Sequence, residues 1–521
     1  MDILSGKPIS GQMGTSWARD ALIDSFQRTD FSLASVLRLL LTIAVAITSY
    51  QLVYNLYFHP LARYPGPFLA RASVVEPEVI FHQVHTDLFV ECELISRKGD
   101  AIRVGPDELS FVSVSAFQTI YGNRTTADPN SPAPKNEWYD MLGAGFGERC
   151  LVSERHFRKA GAKRALFSNA FTQKALLKQE PIMQRCIDGF VAKVGKLGSG
   201  PNGIDMVRWY EMVSFDIFGE LAFGESFGCI EREAPHYWLE MILDHLLVVQ
   251  IMDNLRRYPL LVALARALPA KWTTGLAKKQ TQYSRDKTKE RLEKGTDQQD
   301  FMARVVGKVK TGEVTEEEMA AHASTLVMAG GETTSTSMAA ITFNLLKTPA
   351  TMQRLKEEIR SRYKSLEEID IVSTGQIPYL QAVLKEGMRL YTAGPQGLPR
   401  KSPGMTVDGH YVPEGVELYV SRWATAHDER YFHDPMAFKP ERWIDADCKD
   451  IKEASQPFSL GPRVCIGRSF AYAQMSLELS KLVWSYDMEL VKPDMDFEDE
   501  SRMYFQWRKP ALLIRLQPRP S

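Results

Sequence analysis

This sequence has few cysteines, no excess of charge and no glycine-rich nucleotide motif. Its six cysteines are scattered over 521 residues without a C-x-x-C pair, which argues against a disulfide framework or a structural zinc site and favours a reducing compartment. The 63 basic and 64 acidic residues leave a formal net charge of −1, so no nucleic-acid partner is indicated. No G-x-G-x-x-G links a strand to a helix, so the chain lacks the signature of a nicotinamide- or flavin-binding region.

The amino-terminal part lacks a signal peptide but contains one long uncharged run. Residues 1–38 are polar and mixed in charge, whereas residues 39–58 are apolar and carry no charge. Twenty helical residues span about 30 Å, the thickness of a bilayer core. This run predicts a single transmembrane anchor, and a buried core helix is the alternative. Arginines flank the run on both sides, so charge does not fix its orientation.

The rest of the chain predicts one mainly α-helical domain with small β-sheets, over residues 60–521. Prolines at 60, 65 and 67 indicate a stiff connector after the anchor. Apolar spacing of three and four predicts helices, and short alternating runs predict strands. The Pro-rich stretch 128–135 predicts a surface loop. Helices are expected within 153–195, 205–265, 315–348, 349–363 and 466–486, and strands at 101–104, 109–114, 405–412, 416–421 and 511–516.

One cysteine lies in a distinctive loop just before a predicted helix. Gly461 and Gly467 on either side of Cys465 permit tight turns that would direct backbone N–H groups at the sulfur. The amino end of the following helix is expected to lower the pKa of the thiol. A lone cysteine is usually a small buried apolar residue. Its neighbours here complete the pattern F-x-x-G-x-R-x-C-x-G, from Phe458 through Arg463 to Gly467.

This ten-residue pattern resembles the signature of the cytochrome P450 family, the haem-thiolate monooxygenases. The resemblance covers roughly residues 55–521 and implies the cytochrome P450 fold. It also implies that haem b is bound, with the Cys465 thiolate as axial iron ligand. Phe458, Arg463 and Gly467 are then cofactor-binding residues.

A second match lies in the long helix expected from residue 315. Gly330 and Gly331 should cost about 2 kcal/mol relative to alanines in mid-helix, so either the backbone approaches something closely or the helix opens locally. The segment resembles the family's oxygen-binding helix. The resemblance makes Glu332 and Thr333 the catalytic acid–alcohol pair that delivers protons to bound dioxygen.

Further matches concern charged residues. Glu386 and Arg389 match the family's E-x-x-R, and Arg442 matches its later arginine, which implies a buried structural set. Arg400, Arg463 and Arg164 match arginines that contact the haem propionates.

One position departs from the family pattern. The family carries Trp or His four residues before the arginine that matches Arg164, but this chain has Ala160 there, and the nearest candidate, His156, lies a turn upstream. One propionate contact is therefore missing or replaced.

The resemblance also implies a reaction and its partners. Dioxygen is activated and an apolar small molecule is oxidised, with electrons from NADPH through a cytochrome P450 reductase and possibly cytochrome b5. The expected location is the endoplasmic reticulum membrane, with the catalytic domain facing the cytosol. Two alternatives stay open: a haem-thiolate isomerase, dehydratase or peroxygenase that does not use dioxygen, and a non-enzymatic haem protein.

Details of the sequence are closest to filamentous-fungal members of the family. Stretches at 57–61, 64–68 and 216–224 resemble such members, the last being similar to the trichothecene C-15 hydroxylase group. Members of this kind act in secondary metabolism on terpenoids, polyketides or indole alkaloids. By motif position, the residues expected to line the substrate pocket are Ala329, Gly394, Gln396, Leu398 and Phe505.

Overall fold

The computed structural model describes residues 33–73, 99–126, 131–242, 251, 275–294, 300–503 and 506–519. The chain divides into two compact units, Met1–Ala62 and Arg63–Ser521. In the first unit, helix α1 (Leu33–Val53) continues into a π-helical turn, Tyr54–Phe58. Within the described part of the chain, residues 34–58 form one helix that is long and apolar enough to cross a membrane, and none of its most apolar window is buried.

Helices dominate the second unit. They are α2 (Phe68–Ala72), α3 (Val114–Tyr121), α4 (Trp138–Met141), α5 (Phe157–Phe167), α6 (Gln173–Leu197), α7 (Met206–Phe223), α8 (Cys229–Arg232), α9 (Gly275–Glu293), α10 (Ala303–Lys310), α11 (Glu316–Lys347), α12 (Pro349–Arg362), α13 (Ile371–Gly375), α14 (Pro378–Leu390), α15 (Arg422–Ala426) and α16 (Arg468–Ser485).

The strands form small sheets. They are β1 (Ala101–Gly105), β2 (Glu108–Phe111), β3 (Ile204–Asp205), β4 (Arg400–Lys401), β5 (Met405–Val407), β6 (His410–Val412), β7 (Glu417–Val420), β8 (Tyr486–Leu490), β9 (Arg502–Met503), β10 (Trp507–Arg508) and β11 (Leu513–Pro518). A four-stranded sheet has the order β1-β2-β7-β4, a three-stranded sheet the order β3-β11-β8, and β5–β6 and β9–β10 are hairpins. The prediction of a mainly α-helical domain with small sheets is confirmed.

The long central helix is where the sequence places it. Thr315 caps α11, its side chain accepting a hydrogen bond from the N–H of Glu318, and the helix is continuous to Lys347. Gly330 therefore does not open the helix. A Cβ at this position would lie 1.9 Å from the ring of Phe218 on α7, so this glycine lets two buried helices approach closely.

Three expectations differ from the structure. The predicted helical runs 153–195 and 205–265 are both interrupted. The first breaks because α5 ends at Phe167 and a 3-10 turn precedes α6, and the second because α7 ends at Phe223, where Gly224 adopts a left-handed conformation. The stretch predicted to be a surface loop is built into the domain over its described part, residues 131–135. Ser131 and Ala133 are buried, the N–H of Ala133 donates to the Ile120 carbonyl at 3.0 Å, and the N–H of Lys401 donates to the Pro134 carbonyl at 2.8 Å. Backbone hydrogen bonds hold this stretch within the domain although it contains prolines.

Candidate active site

The loop that carries Cys465 is shaped by its own backbone and by a neighbouring helix. The N–H of Cys465 donates to the carbonyl of Phe458 at 2.9 Å, which closes the loop. Gly461 has a φ of 67°, and a Cβ there would lie 2.1 Å from the carbonyl oxygen of Tyr121 at the end of α3. Only glycine satisfies both constraints. Helix α16 begins immediately after the loop, at Arg468.

Gly467 acts on the Cys465 sulfur through its backbone N–H, whereas Gly461 shapes the loop. Its φ is −84°, so the tight turn does not require glycine there, in contrast to the expectation from sequence. A Cβ would instead lie 4.0 Å from the Cys465 sulfur and 3.9 Å from the ring of Phe171. The backbone N–H of Gly467 acts on the thiol as a hydrogen-bond donor.

The side chain of Cys465 has accessible surface and lines a cavity. Burial raises its pKa, while the Gly467 N–H and the charge of Arg164 act in the opposite direction. For the free thiol, burial has the largest effect on the pKa and raises it, against the lowering expected from the helix terminus. A bound cation would supply the missing stabilisation, since a thiol that coordinates a metal is deprotonated.

The cavity beside this thiol has a volume of about 430 Å³ and is mostly apolar. Ala329, Gly394, Gln396 and Leu398, the residues expected in the substrate pocket, all line it, and Phe458 does so from the cysteine loop. Phe505 lies outside the described residues. The chain thus brings α11, the segment after α14 and the cysteine loop around one enclosed space.

The three arginines predicted to bind propionates also line this cavity. Arg164 on α5 donates to the carbonyl of Val464 at 2.7 Å, directly beside the cysteine. Arg463 donates to the carbonyl of Arg155 at 3.0 Å. Arg400 on β4 donates to the Tyr139 hydroxyl and to the carbonyl of Pro399. In the described structure, the buried Nε atoms of Arg400 and Arg463 have no hydrogen-bond partner.

Two further cationic side chains in the cavity wall were not predicted from the sequence. Arg422, at the start of α15, is buried and donates to the carbonyl of Gly394 at 3.3 Å. Lys135 lines the cavity from the stretch that was predicted to be a surface loop. Neither residue belongs to a recognisable motif, and only the three-dimensional fold brings them to the site.

Thr333 and Glu332 point in different directions from α11. Thr333 lines the cavity, and its hydroxyl donates to the carbonyl of Ala329 at 2.6 Å. Glu332 is buried and faces Lys509, whose ammonium donates to its carboxylate at 2.5 Å. Burial raises the pKa of Glu332, and the nearby Glu211 carboxylate raises it further, whereas Lys509 lowers it. The alcohol is thus in the cavity and the acid lies behind it.

Glu386, Arg389 and Arg442 form a fully buried set, as the sequence predicts. The Glu386 carboxylate accepts hydrogen bonds from Nε of Arg389 and Nε of Arg442, both at 2.9 Å. It also accepts from the indole of Trp443 at 2.8 Å. Such saturation with donors is what a buried carboxylate requires. The set ties α14 to the 3-10 turn Pro440–Trp443, away from the cavity lining.

Haem fits the cavity chemically. Among the described residues, a single thiol lines this apolar space, which suits a flat apolar macrocycle with one sulfur ligand. The unpartnered guanidinium nitrogens of Arg400 and Arg463 suit its two propionates. When bound, haem would supply the activation of dioxygen, and Cys465 and these cations are the residues that would hold it.

A mainly helical fold around a cysteine-bearing apolar cavity defines a haem-thiolate monooxygenase. Comparison with known proteins agrees, because a family model for cytochrome P450 matches residues 87–514. The chain belongs to the cytochrome P450 family.

Its relatives include several fungal proteins. Cytochrome P450 monooxygenase ORF9 of Penicillium roqueforti is 48% identical, covering 89% of this chain and 90% of that protein. Cytochrome P450 monooxygenase BOT4 of Botryotinia fuckeliana is 45% identical, covering 89% and 87%. Averantin hydroxylase of Dothistroma septosporum is 35% identical, covering 89% and 88%.

Proposed function

We propose that this chain hydroxylates or otherwise oxidises an apolar small molecule in a fungal secondary-metabolite pathway. The observation that carries the proposal is the shared cavity of Cys465 and Thr333. The apolar lining supports an apolar substrate, and the resemblance to fungal monooxygenases, one of them a hydroxylase, supports the reaction and the pathway type.

The residues divide the work between holding the cofactor and handling protons. Cys465 binds the iron, and Arg164, Arg400 and Arg463 bind the propionates. Thr333 holds a proton at the cavity wall, and Glu332 resupplies it from behind. Glu386 and its two arginines hold the protein around the cofactor.

Electrons reach the site from outside the chain. NADPH–cytochrome P450 reductase is the proposed donor, with cytochrome b5 as a second one, and the helix over residues 34–58 is the proposed anchor. We place the protein in the endoplasmic reticulum membrane, with Arg63–Ser521 in the cytosol beside the reductase. These assignments follow the family's general organisation.

The cofactor assignment is tested by the spectrum of the carbon monoxide complex. The reduced protein is expected to show the Soret band of thiolate-bound haem, and Cys465→Ala is expected to lose it. Cys448→Ala, which changes a half-buried cysteine outside the cavity lining, is the matched control and should keep the band. An unchanged band in Cys465→Ala would refute the assignment.

The use of dioxygen is tested through Thr333. With reductase and NADPH, Thr333→Ala is expected to divert NADPH consumption into hydrogen peroxide, because the cavity-facing proton carrier is lost. Thr333→Ser keeps the hydroxyl and should stay coupled. Equal coupling in wild type and Thr333→Ala, or turnover supported by peroxide without reductase, would favour a peroxygenase instead. Metabolites compared with and without the gene would identify the substrate.

A further inference from the structure

Position 160 leaves part of the cavity wall without a polar side chain. Ala160 lines the cavity from α5, one turn before Arg164. The histidine a turn upstream does not fill its place, because His156 caps α5 and accepts a hydrogen bond from the N–H of Lys159. The contact that Trp or His would provide at this position must come from elsewhere in the fold, or be absent.

Lys135 reaches the same cavity from a different element. An isolated antiparallel bridge pairs the backbone of Lys135 with that of Arg400, so the two side chains start from adjacent positions. The ammonium of Lys135 lies 4.5 Å from the centre of the Tyr139 ring and donates to the carbonyl of Val152 at 2.6 Å. Lys135, Arg400 and Arg463 thus converge on one part of the cavity wall.

This convergence of cations is electrostatically unfavourable without an anion. Burial, together with the charges of Arg463 and Arg400, lowers the pKa of Lys135 to about 6. Cys150 and Glu154 act on Lys135 in the opposite direction with smaller effects, and Glu154 already accepts a hydrogen bond from the N–H of His156 at 2.9 Å. A dianionic ligand would remove the repulsion and restore the charge of the ammonium.

We propose that Lys135 binds a haem propionate and replaces the contact that is lost at Ala160. The proposal rests on the proposed function, because it requires haem in this cavity. It assigns a cofactor-binding role to a residue outside every family motif in the chain. Lys135 donates from its ammonium to a propionate oxygen, while Arg400 and Arg463 donate from guanidinium nitrogens.

The test measures haem loss rather than activity. Holoenzyme is mixed with excess apomyoglobin, and the rate of haem transfer is followed by absorbance. Lys135→Met is expected to lose haem about tenfold faster than wild type, the effect of one charge-assisted hydrogen bond. Lys135→Arg keeps the charge and should stay within about twofold of wild type. Lys135→Gln takes the place of the methionine variant if that variant is not recovered folded.

Two controls separate a propionate contact from a structural role. Lys401→Met changes a neighbouring lysine that pairs with Glu137, and it should leave the rate of haem loss unchanged. Enzyme reconstituted with haem dimethyl ester, whose propionates carry no charge, should lose the cofactor at the same rate in wild type and Lys135→Met.

The possible results distinguish this inference from the proposed function. Equal rates of haem loss from wild type and Lys135→Met with ordinary haem would overturn the role of Lys135, as would a rate difference that persists with the dimethyl ester. Wild-type protein without a thiolate-type spectrum would instead overturn the proposed function, which is measured separately on the same sample.

Discussion

Lys509 lies behind the cavity and affects the ionisation of Glu332, the acid in the proposed mechanism. The Lys509 ammonium lies between two carboxylates, 2.5 Å from that of Glu332 and 3.1 Å from that of Glu211. Thr336 donates to Glu332 at 3.2 Å, and the Tyr391 phenol is a further titratable group within the influence of this carboxylate. Two acids facing one buried cation cannot both ionise without cost. Lys509 therefore decides how easily Glu332 loses its proton.

Removing the charge of Lys509 should move the titration of Glu332. Because its folded-state pKa is raised, the folded protein binds this proton more tightly than the unfolded chain does, and stability falls as pH rises through that interval. Lys509→Met removes the positive charge that lowers the pKa of Glu332, so the midpoint of its titration should move to higher pH. The measurement is the carboxylic-acid C=O band in pH-difference infrared spectra of the ferric holoenzyme.

Variants at two positions make this measurement specific. The band of Glu332 is the one that disappears in Glu332→Gln. Lys509→Arg retains a positive charge and should keep the midpoint near that of wild type. A midpoint in Lys509→Met that equals the wild-type value would show that Lys509 does not set the ionisation of this acid.

Among the elements, the contact between α7 and α11 determines how the long helix α11 is held. The two glycines of α11 face aromatic rings of α7: a Cβ at Gly330 would lie 1.9 Å from Phe218, and one at Gly331 would lie 3.0 Å from Phe215. Both rings are buried. Relative to alanines, the two glycines cost about 2 kcal/mol in helix propensity. The close packing that they permit offsets this cost.

Gly330→Ala should therefore destabilise the protein although alanine favours helices. Its methyl group overlaps the Phe218 ring, and overpacking of this kind costs about 1–3 kcal/mol. Gly307→Ala on α10 is the matched control, because no atom lies within 4 Å of its new Cβ, and it should stabilise by up to about 1 kcal/mol. The stabilities of the two variants and the wild type are compared by the midpoint of thermal unfolding of the holoenzyme. A higher midpoint in Gly330→Ala than in wild type would contradict the packing argument.

The bounds of several helices and strands could be predicted from the sequence, and those of others could not. The bounds of α11 and α12 agree with the apolar periodicity to within a residue, and the strand run predicted at 405–412 is the β5–β6 hairpin. Strands of two residues, such as β3 and β9, were not predicted because two residues carry no periodicity. Such strands form because neighbouring segments offer them backbone partners.

At the scale of the whole molecule, the apolar helix over residues 34–58 belongs to a different unit from the catalytic domain. Deleting residues 1–58 is expected to move the haem-loaded protein from the membrane fraction to the soluble fraction, because the long apolar surface is removed. The spectrum of the carbon monoxide complex should not change. Fractionation with parallel spectra is the measurement, and a truncated protein that stays in the membrane fraction would disprove the anchor.

The sequence by itself determined the family, and its motifs contain the residues to which the proposed chemistry is assigned. Cys465, Thr333 and the buried Glu386 set lie in contiguous motifs, in which local spacing encodes the turn, the helix face or the ion pair, so they could be read along the chain. Local sequence also determined the uncharged run near the amino terminus.

Only the tertiary structure decided which groups surround those residues. Lys135 meets Arg400 through a backbone bridge, and Lys509 meets Glu332 across 177 positions of sequence. The raised pKa of the Cys465 thiol likewise comes from burial by several segments. Desolvation and long-range charge depend on what the whole fold packs around a side chain, and no local pattern of residue types records that.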